Sequence, residues 1–334
     1  MNVYEVQKVG DAGVLRAAER PEPTPGSGQV LIRVRATSLN YRDLAILDRM
    51  APAAPRIPVS DGAGEIVAVG DGVTRVAVGD RVAGTFFQNW IAGDTFAEIH
   101  DSALGGSLDG ILAEYVVLSE EGVVRIPDYL SYEEAATLPC AAVTAWRAMV
   151  ELAHLQAGDT VLLLGTGGVS LFGLQFAKLH GARAILTSSS DEKLERGRAL
   201  GADETINYRT TPDWEKTVWT LTGKHGVDQV VEVGGNGTLE RSLRSVRYGG
   251  WVHLIGVLTG VSATINPLPV MQKSIRLQGI YVGSRATFES MNRALTQAQL
   301  KPVIDRVFPF AEAPAAYEYM RSGAHFGKIV VTVD

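Results

Sequence analysis

Thr160-Val161-Leu162-Leu163-Leu164-Gly165-Thr166-Gly167-Gly168-Val169-Ser170 is the stretch from which the rest of the fold can be read. The apolar run at its start reads as a buried parallel strand. It ends in a glycine-rich turn that opens into a helix-period segment, 169–180, closed by Gly181. Strand, turn and helix in that order make a phosphate-binding crevice. The first N–H groups of the helix have no partner within it, and the helix dipole adds to their pull on an anion. The full dinucleotide fingerprint is Gly-x-Gly-x-x-Gly. Gly165 and Gly167 match, Gly168 adds backbone freedom, and Ser170 stands at the third position, where a small residue lets helix and strand pack closely. The expectation is a dinucleotide site, and with it redox chemistry on a second molecule.

Outward from the turn, apolar runs at 161–164, 184–187, 204–207, 229–233, 251–255 and 276–282 read as strands, with helix-like segments at 191–200, 213–222 and 237–247 between them. That alternation predicts an α/β fold with a doubly wound, six-stranded parallel sheet. Ser131-Tyr132-Glu133-Glu134 reads as a capping box opening a helix before the sheet. Past Gly283 come a helix, 286–299, and a last strand, 329–333. Toward the N-terminus the pattern is β-rich. Residues 29–37 alternate, with Val30, Ile32, Val34 and Ala36 on one side. Segments 64–69 and 73–82 read as strands divided by the turn Gly70-Asp71-Gly72, and 112–118 continues the theme.

With 334 residues the chain is long enough for two domains. A hydrophobic share of 46% and a charged share of 20% are those of a soluble globular protein. The net charge of −6 argues against nucleic acid or an anionic membrane as a partner. No run of ~18 apolar residues is present to cross a membrane. The start, Met1-Asn2-Val3-Tyr4-Glu5-Val6, lacks the basic segment and long apolar core of a secretion signal. Cys140, the single cysteine, cannot form an internal disulfide, which fits a reducing, cytoplasmic setting.

Several motifs in order resemble the medium-chain dehydrogenase/reductase superfamily. They are Ser60-Asp61-Gly62-Ala63-Gly64-Glu65 with the run to Gly70, then Val78-Gly79-Asp80-Arg81-Val82, then Ala135 to Trp146, the glycine turn, Leu200-Gly201-Ala202-Asp203 and Ile206-Asn207-Tyr208. Leu39-Asn40-Tyr41-Arg42-Asp43-Leu44 is similar to the matching segment of enoyl-reductase modules. Within the superfamily, zinc-lacking quinone oxidoreductases and zinc-type alcohol dehydrogenase-like proteins are the groups it resembles. The resemblance implies a GroES-like catalytic domain at 1–123 and 287–334 and a Rossmann coenzyme domain at 124–286, with substrate and nicotinamide meeting in the cleft between them. It also implies a homodimer or homotetramer paired through the last strand of the coenzyme domain, 276–282.

Zinc-dependent relatives hold their metal with Cys, His and a further Cys or Asp. By motif, the corresponding positions here are Asn40, Asp61 and Cys140. Asn is a poor zinc ligand, and the stretch 86–110, where relatives carry a cysteine-rich lobe, has no cysteine. No metal is expected, although Asp61 and Cys140 leave an atypical one open.

An NAD-preferring site carries Asp or Glu about 20 residues after the first glycine. That position falls near Thr187 and is followed by Ser188-Ser189-Ser190, so no carboxylate repels a 2′-phosphate there. Lys193 and Tyr208 occupy positions that bind this phosphate in related quinone reductases, with Arg209 as a second cation, and the coenzyme expected is NADPH. The bland alternative for Lys193 is a solvated helix residue. The pyrophosphate would lie on Gly165, Thr166, Gly167, Gly168 and Val169. By resemblance Thr144, Gly234, Gly256, Val257, Val282, Gly283 and Ser284 would line the nicotinamide side, while the glycines can also be plain strand-to-loop turns.

Without a Lewis acid, hydride goes most readily to an acceptor that is already electrophilic, a quinone or an enone, whose developing charge rests on oxygen. Asn40 and Tyr41 are the candidate donors to that oxygen, and either Tyr41 or water supplies the proton. Arg42 and Asp43 form a supporting ion pair or only fix the loop. Phe86, Phe87 and Trp90 enclose a flat apolar substrate or belong to the core. Some enoyl reductases carry a tyrosine about ten residues further on as proposed acid, and Asp48-Arg49-Met50-Ala51-Pro52 lacks it. The sequence therefore points to zinc-independent, NADPH-dependent reduction of a small apolar electrophile, a quinone or activated alkene. The alternatives are an NAD(P)-dependent alcohol dehydrogenase or carbonyl reductase, and a non-catalytic NADPH-binding protein of the crystallin or sensing kind.

Overall fold

The computed structural model describes residues 1–10, 12–262 and 264–333. They divide into two compact units, Met1–Val143 with Val282–Asp334, and Thr144–Tyr281. The expected divisions at 123/124 and 286/287 differ from these because the capped helix Tyr132–Ala136 and the π-helical turn Leu138–Ala142 pack in the first unit, where the Cys140 N–H donates to Asp61.

The chain opens with an antiparallel hairpin, β1 (Asn2–Val9) and β2 (Ala12–Glu19). The alternating segment becomes β3 (Gln29–Ser38), which buries Val30, Ile32, Val34 and Ala36 as its pattern requires. β3 pairs antiparallel with β4 (Asp61–Val69), which pairs with β5 (Arg81–Gly84). β6 (Tyr115–Ser119) lies on β3, and β7 (Val123–Arg125) on β5. Segment 73–80, expected as strand, is a loop. Side chains take its backbone donors: Glu120 accepts from Thr74 and Arg75 N–H at 2.8 and 2.7 Å, and Asp80 from Ala77 N–H at 2.9 Å.

In the second unit six parallel strands follow: β8 (Thr160–Leu163), β9 (Arg183–Ser188), β10 (Glu204–Asn207), β11 (Val227–Glu232), β12 (Val246–Leu254) and β13 (Arg276–Gly279). Their order across the sheet is β10-β9-β8-β11-β12-β13, the doubly wound arrangement expected. β13 stops at Gly279, short of the expected 282, and Val282 sits at φ +60°. Helices Gly168–Leu179, Asp191–Ala199, Trp214–Leu221 and Leu239–Ser245 fill the crossovers. Leu162, Ile185, Val230 and Val252 of the sheet form one core with Trp214, Val218 and Leu243 of those helices.

Returning to the first unit, the chain forms helix Arg285–Ala298, β14 (Ile304–Pro309), helix Ala313–Arg321 and β15 (Lys328–Thr332). β15 pairs antiparallel with β3, completing a sheet of order β14-β15-β3-β4-β5-β7. The end of β3 thus lies beside the starts of both β4 and β15, with Ser38 opposite Asp61 on one side and Val330 on the other.

Candidate functional site

In the second unit the strand order reverses between β8 and β11, the switch point at whose carboxyl end ligands of such sheets bind. β8 leads to Gly165 at φ +77°, a conformation glycine adopts at little cost. The Gly165 N–H is held by Thr187 Oγ1 at 3.1 Å. A Cβ at Gly165 or Gly167 would meet no atom within 4 Å, so both face open space that a side chain would fill. Gly167 then caps helix Gly168–Leu179. Ser170 is buried, and its hydroxyl donates to Leu164 O at 2.7 Å, tying the first helical turn to the strand end. This turn fits a pyrophosphate.

Ser188 ends β9 beside Asn207 of β10, and the Tyr208 N–H donates to Ser188 O at 3.0 Å. Ser190 caps helix Asp191–Ala199, its hydroxyl accepting from the Lys193 N–H at 3.3 Å. Ser188, Ser189, Lys193 and Tyr208 therefore belong to one corner, with the Tyr208 ring exposed. Thr144 is buried in the helical turn Val143–Trp146.

Sequence reasoning missed Glu232, the buried last residue of β11. Its carboxylate accepts from Gly234 N–H at 2.7 Å, Gly235 N–H at 2.9 Å, Thr238 Oγ1 at 2.5 Å and the Ser242 hydroxyl. The loop after β12 is tied to the same turn: Thr259 N–H and Oγ1 both donate to Gly234 O, and the Gly237 N–H donates to Thr259 Oγ1. Gly234, Gly256 and Val257 thus sit on two cross-linked loops. An acid closing an apolar run, Val230-Val231-Glu232, was the available signal.

In the first unit three strand ends bring a polar cluster together. Asn40 ends the extended segment after β3 and opens helix Tyr41–Arg49, where Asp43 Oδ2 accepts the Asn40 N–H at 2.7 Å. Asp61 begins β4, fully buried. Its Oδ1 accepts from Ser60 Oγ at 2.7 Å and its Oδ2 from the Cys140 N–H at 3.0 Å. Lys328 begins β15, also buried, and its ammonium donates to Leu39 O at 2.5 Å and Asn40 Oδ1 at 2.6 Å. Asp43 Oδ1 is buried without a hydrogen-bond partner. Burial raises the Asp61 carboxyl, against the pull of the Lys328 charge and of hydrogen bonds from Ser60, the Asn40 side chain and the Cys140 N–H. Burial, with Asp61 nearby, pushes the Cys140 thiol far up. The Lys328 ammonium is lowered by burial and supported by Asp61, Cys140 and Asp43. Lys328 was not foreseen, because nothing in Gly327-Lys328-Ile329 marks a lysine as buried.

The donor set does not fit zinc. Asn40 Oδ1 is taken by the Lys328 ammonium, both Asp61 oxygens accept hydrogen bonds, and an amide is a poor zinc ligand.

Tyr41 opens its helix with its side chain exposed. Arg42 donates to Leu104 O and lies 4.2 Å over the Phe86 ring, so together with the Asp43 cap it fixes the loop. Phe86, Phe87 and Trp90 are buried core, which removes them as a wall around substrate. Val282 and Gly283 lead to Ser284, which caps helix Arg285–Ala298 by accepting the Thr287 N–H at 3.1 Å. A Cβ on Gly283 would come within 2.8 Å of Val143.

Known proteins share this architecture. Residues 26–128 match the alcohol dehydrogenase GroES-like domain and residues 168–297 the zinc-binding dehydrogenase family. A zinc-type alcohol dehydrogenase-like protein of Schizosaccharomyces pombe is 43% identical, covering 92% of this chain and 91% of its own. A quinone oxidoreductase of Rattus norvegicus is 29% identical, covering 99% and 97%. A solved structure of a candidate alcohol dehydrogenase from Sinorhizobium meliloti 1021 superposes with a TM-score of 0.93 at 43% identity, covering 99% and 98%.

Proposed function

The chain belongs to the medium-chain dehydrogenase/reductases, a family of oxidoreductases with GroES-like and zinc-binding-dehydrogenase domains, and on that footing we propose that it is a zinc-independent, NADPH-dependent reductase of quinones or activated alkenes. The observation that carries this proposal is the polar cluster at Asn40, Asp61 and Lys328, where Lys328 donates to Asn40 Oδ1 and both Asp61 oxygens accept hydrogen bonds, from Ser60 Oγ and the Cys140 N–H. A substrate served by such a site must already be electrophilic.

When bound, the coenzyme supplies hydride. Gly165, Thr166, Gly167, Gly168 and Val169 hold its pyrophosphate, and Ser188, Ser189, Lys193 and Tyr208 hold the 2′-phosphate. Thr144, Gly234, Gly256, Val257, Val282, Gly283 and Ser284 bind toward the nicotinamide. On a quinone or enone that accepted this hydride, the displaced electron pair would come to rest on the carbonyl oxygen. The Asn40 side-chain amide stabilises that oxyanion. Tyr41 or water then supplies the proton. A second copy of the chain pairs along the free edge of β13, in the unit whose segment 257–281 leaves Val261, Leu268 and Met271 exposed.

NADPH consumption measured on an ortho-quinone, an enone and an aldehyde, with and without chelator, and repeated with NADH, tests the proposal. Turnover of quinone or enone unaffected by chelation supports it. Turnover of aldehyde alone, restored by zinc, would replace it with an alcohol dehydrogenase, the reading favoured by the name of the Schizosaccharomyces relative. Light scattering tests the pairing: a native mass of one chain excludes it.

A further inference from the structure

Lys193 and Tyr208 come from different elements, and one side-chain contact joins the two stretches of chain that carry them. Asn207 ends β10 and immediately precedes Tyr208. Its Nδ2 donates to Asp191 Oδ1 at 2.7 Å. Asp191 opens helix Asp191–Ala199, just ahead of Lys193. The other end of the same amide, Oδ1, accepts the Arg209 N–H at 3.0 Å, so one side chain fixes the backbone on both sides of Tyr208. The Asn207 carbonyl accepts from Thr211 N–H at 2.8 Å and from Thr210 Oγ1 at 3.3 Å, which tightens the same turn.

The place of β10 in the sheet gives this contact its weight. β10 is an edge strand of four residues, paired with β9 alone among the described residues. Past its last residue the pairing ends on a single bond, from Tyr208 N–H to Ser188 O. The bond from Asn207 to Asp191 gives that strand end a second tie, to a helix start that Ser190 already caps. A phosphate gripped from two elements binds best when both are held at one spacing beforehand, since ordering them on binding costs affinity. The residue type fits. Asparagine offers a donor and an acceptor from one short planar group. Aspartate would lose the donor and set a second carboxylate against Asp191, and alanine would offer neither group.

We propose that Asn207 is a positioning residue of the 2′-phosphate site: by clasping Asp191 it sets the spacing of Lys193 and Tyr208, and with it the preference for a coenzyme that bears this phosphate. Asp191 then acts against the sign of its charge. A carboxylate near an anion site opposes the anion, yet as the acceptor of the clasp it supports binding.

The opposed signs make the test. Adenosine 2′,5′-bisphosphate and adenosine 5′-monophosphate are titrated calorimetrically into the full chain at one ionic strength. Asp191→Ala and Asp191→Asn both remove the charge, but only the second keeps an acceptor for Asn207 Nδ2. Asp191 is exposed, so neither change touches the core. Asp191→Ala is expected to bind the bisphosphate roughly five-fold more weakly, the worth of one hydrogen bond, with the monophosphate unchanged. Asp191→Asn is expected to bind it at least as tightly as wild type. Asn207→Ala should lose at least as much as Asp191→Ala, and Asn207→Ala/Asp191→Ala no more than Asn207→Ala. An Asp191→Ala that holds the bisphosphate as tightly as wild type overturns the proposal, as does an equal loss for both nucleotides.

This inference rests on the NADPH half of the proposed function, and the two failures differ. A wild type that binds the bisphosphate no tighter than the monophosphate defeats both. A wild-type preference that survives Asp191→Ala defeats only the clasp.

Discussion

At the residue scale, the proposed choice of coenzyme rests on Lys193, and the firmness of the loop after β11 on Glu232. Lys193 follows the Ser190 cap in the corner that lacks a carboxylate. Lys193→Ala should remove a charge-assisted contact of about 1.5–3 kcal/mol, a factor of about 10–150 in NADPH affinity, with NADH little changed. Paired Kd measurements check this, and equal losses for the two coenzymes would refute the assignment. Glu232 holds four donors of the loop after β11. Three of them use Oε1, and the Ser242 hydroxyl uses Oε2. Glu232→Gln keeps the first oxygen and lets Ser242 reverse its bond, so denaturant titration should find a loss of about 1 kcal/mol. Glu232→Ala strands all four donors and should cost about 3 kcal/mol or more. At this scale the turn conformation of Gly165 was legible in the sequence because it follows from local order. Glu232 and Lys328 were not, because burial of a charge depends on what packs over it.

At the scale of elements, the junction of β8 and helix Gly168–Leu179 carries most of the consequences. Gly165→Ala places a Cβ on a backbone at φ +77°. The strain should cost about 1–2 kcal/mol, and the new methyl would fill the open space over the turn. Thermal unfolding should therefore shift modestly while coenzyme affinity, read by fluorescence titration, falls much further. A variant binding NADPH as well as wild type would exclude the turn as a phosphate site. The six strands of the second unit were visible as apolar runs because a parallel sheet is covered on both faces. The first unit was harder. Helix Tyr41–Arg49 lay within a region expected to be β-rich, and 73–80 has strand-like composition but spends its backbone donors on Glu120 and Asp80. Hairpin β1–β2, strand β14 and helix Ala313–Arg321 also went unread, since half-exposed short elements carry weak periodicity.

For the molecule as a whole, pH acts through a buried imidazole. His253 lies inside the parallel sheet with Nε2 3.1 Å from Gln229 Oε1, and burial lowers its pKa to about 3. The unfolded chain takes up this proton near pH 6.5 and the folded one does not, so stability is full above that value and is lost as pH falls toward 3. Between pH 7 and 5 this histidine alone should remove about 2 kcal/mol. His253→Gln, which keeps a donor for Gln229, should flatten that part of the urea-midpoint profile, and an unchanged slope would show that His253 is not the group responsible. No helix among the described residues is long and apolar enough to cross a membrane. The sequence by itself determined the doubly wound sheet and the glycine turn, because strand periodicity and turn chemistry act between near neighbours along the chain. Only the tertiary structure decided that Lys328 meets Asn40, that Asp61 receives the Cys140 N–H, and that Phe86, Phe87 and Trp90 are core. Those contacts join residues tens to hundreds of positions apart, and their energies come from desolvation and strand pairing, which exist only once the chain has folded.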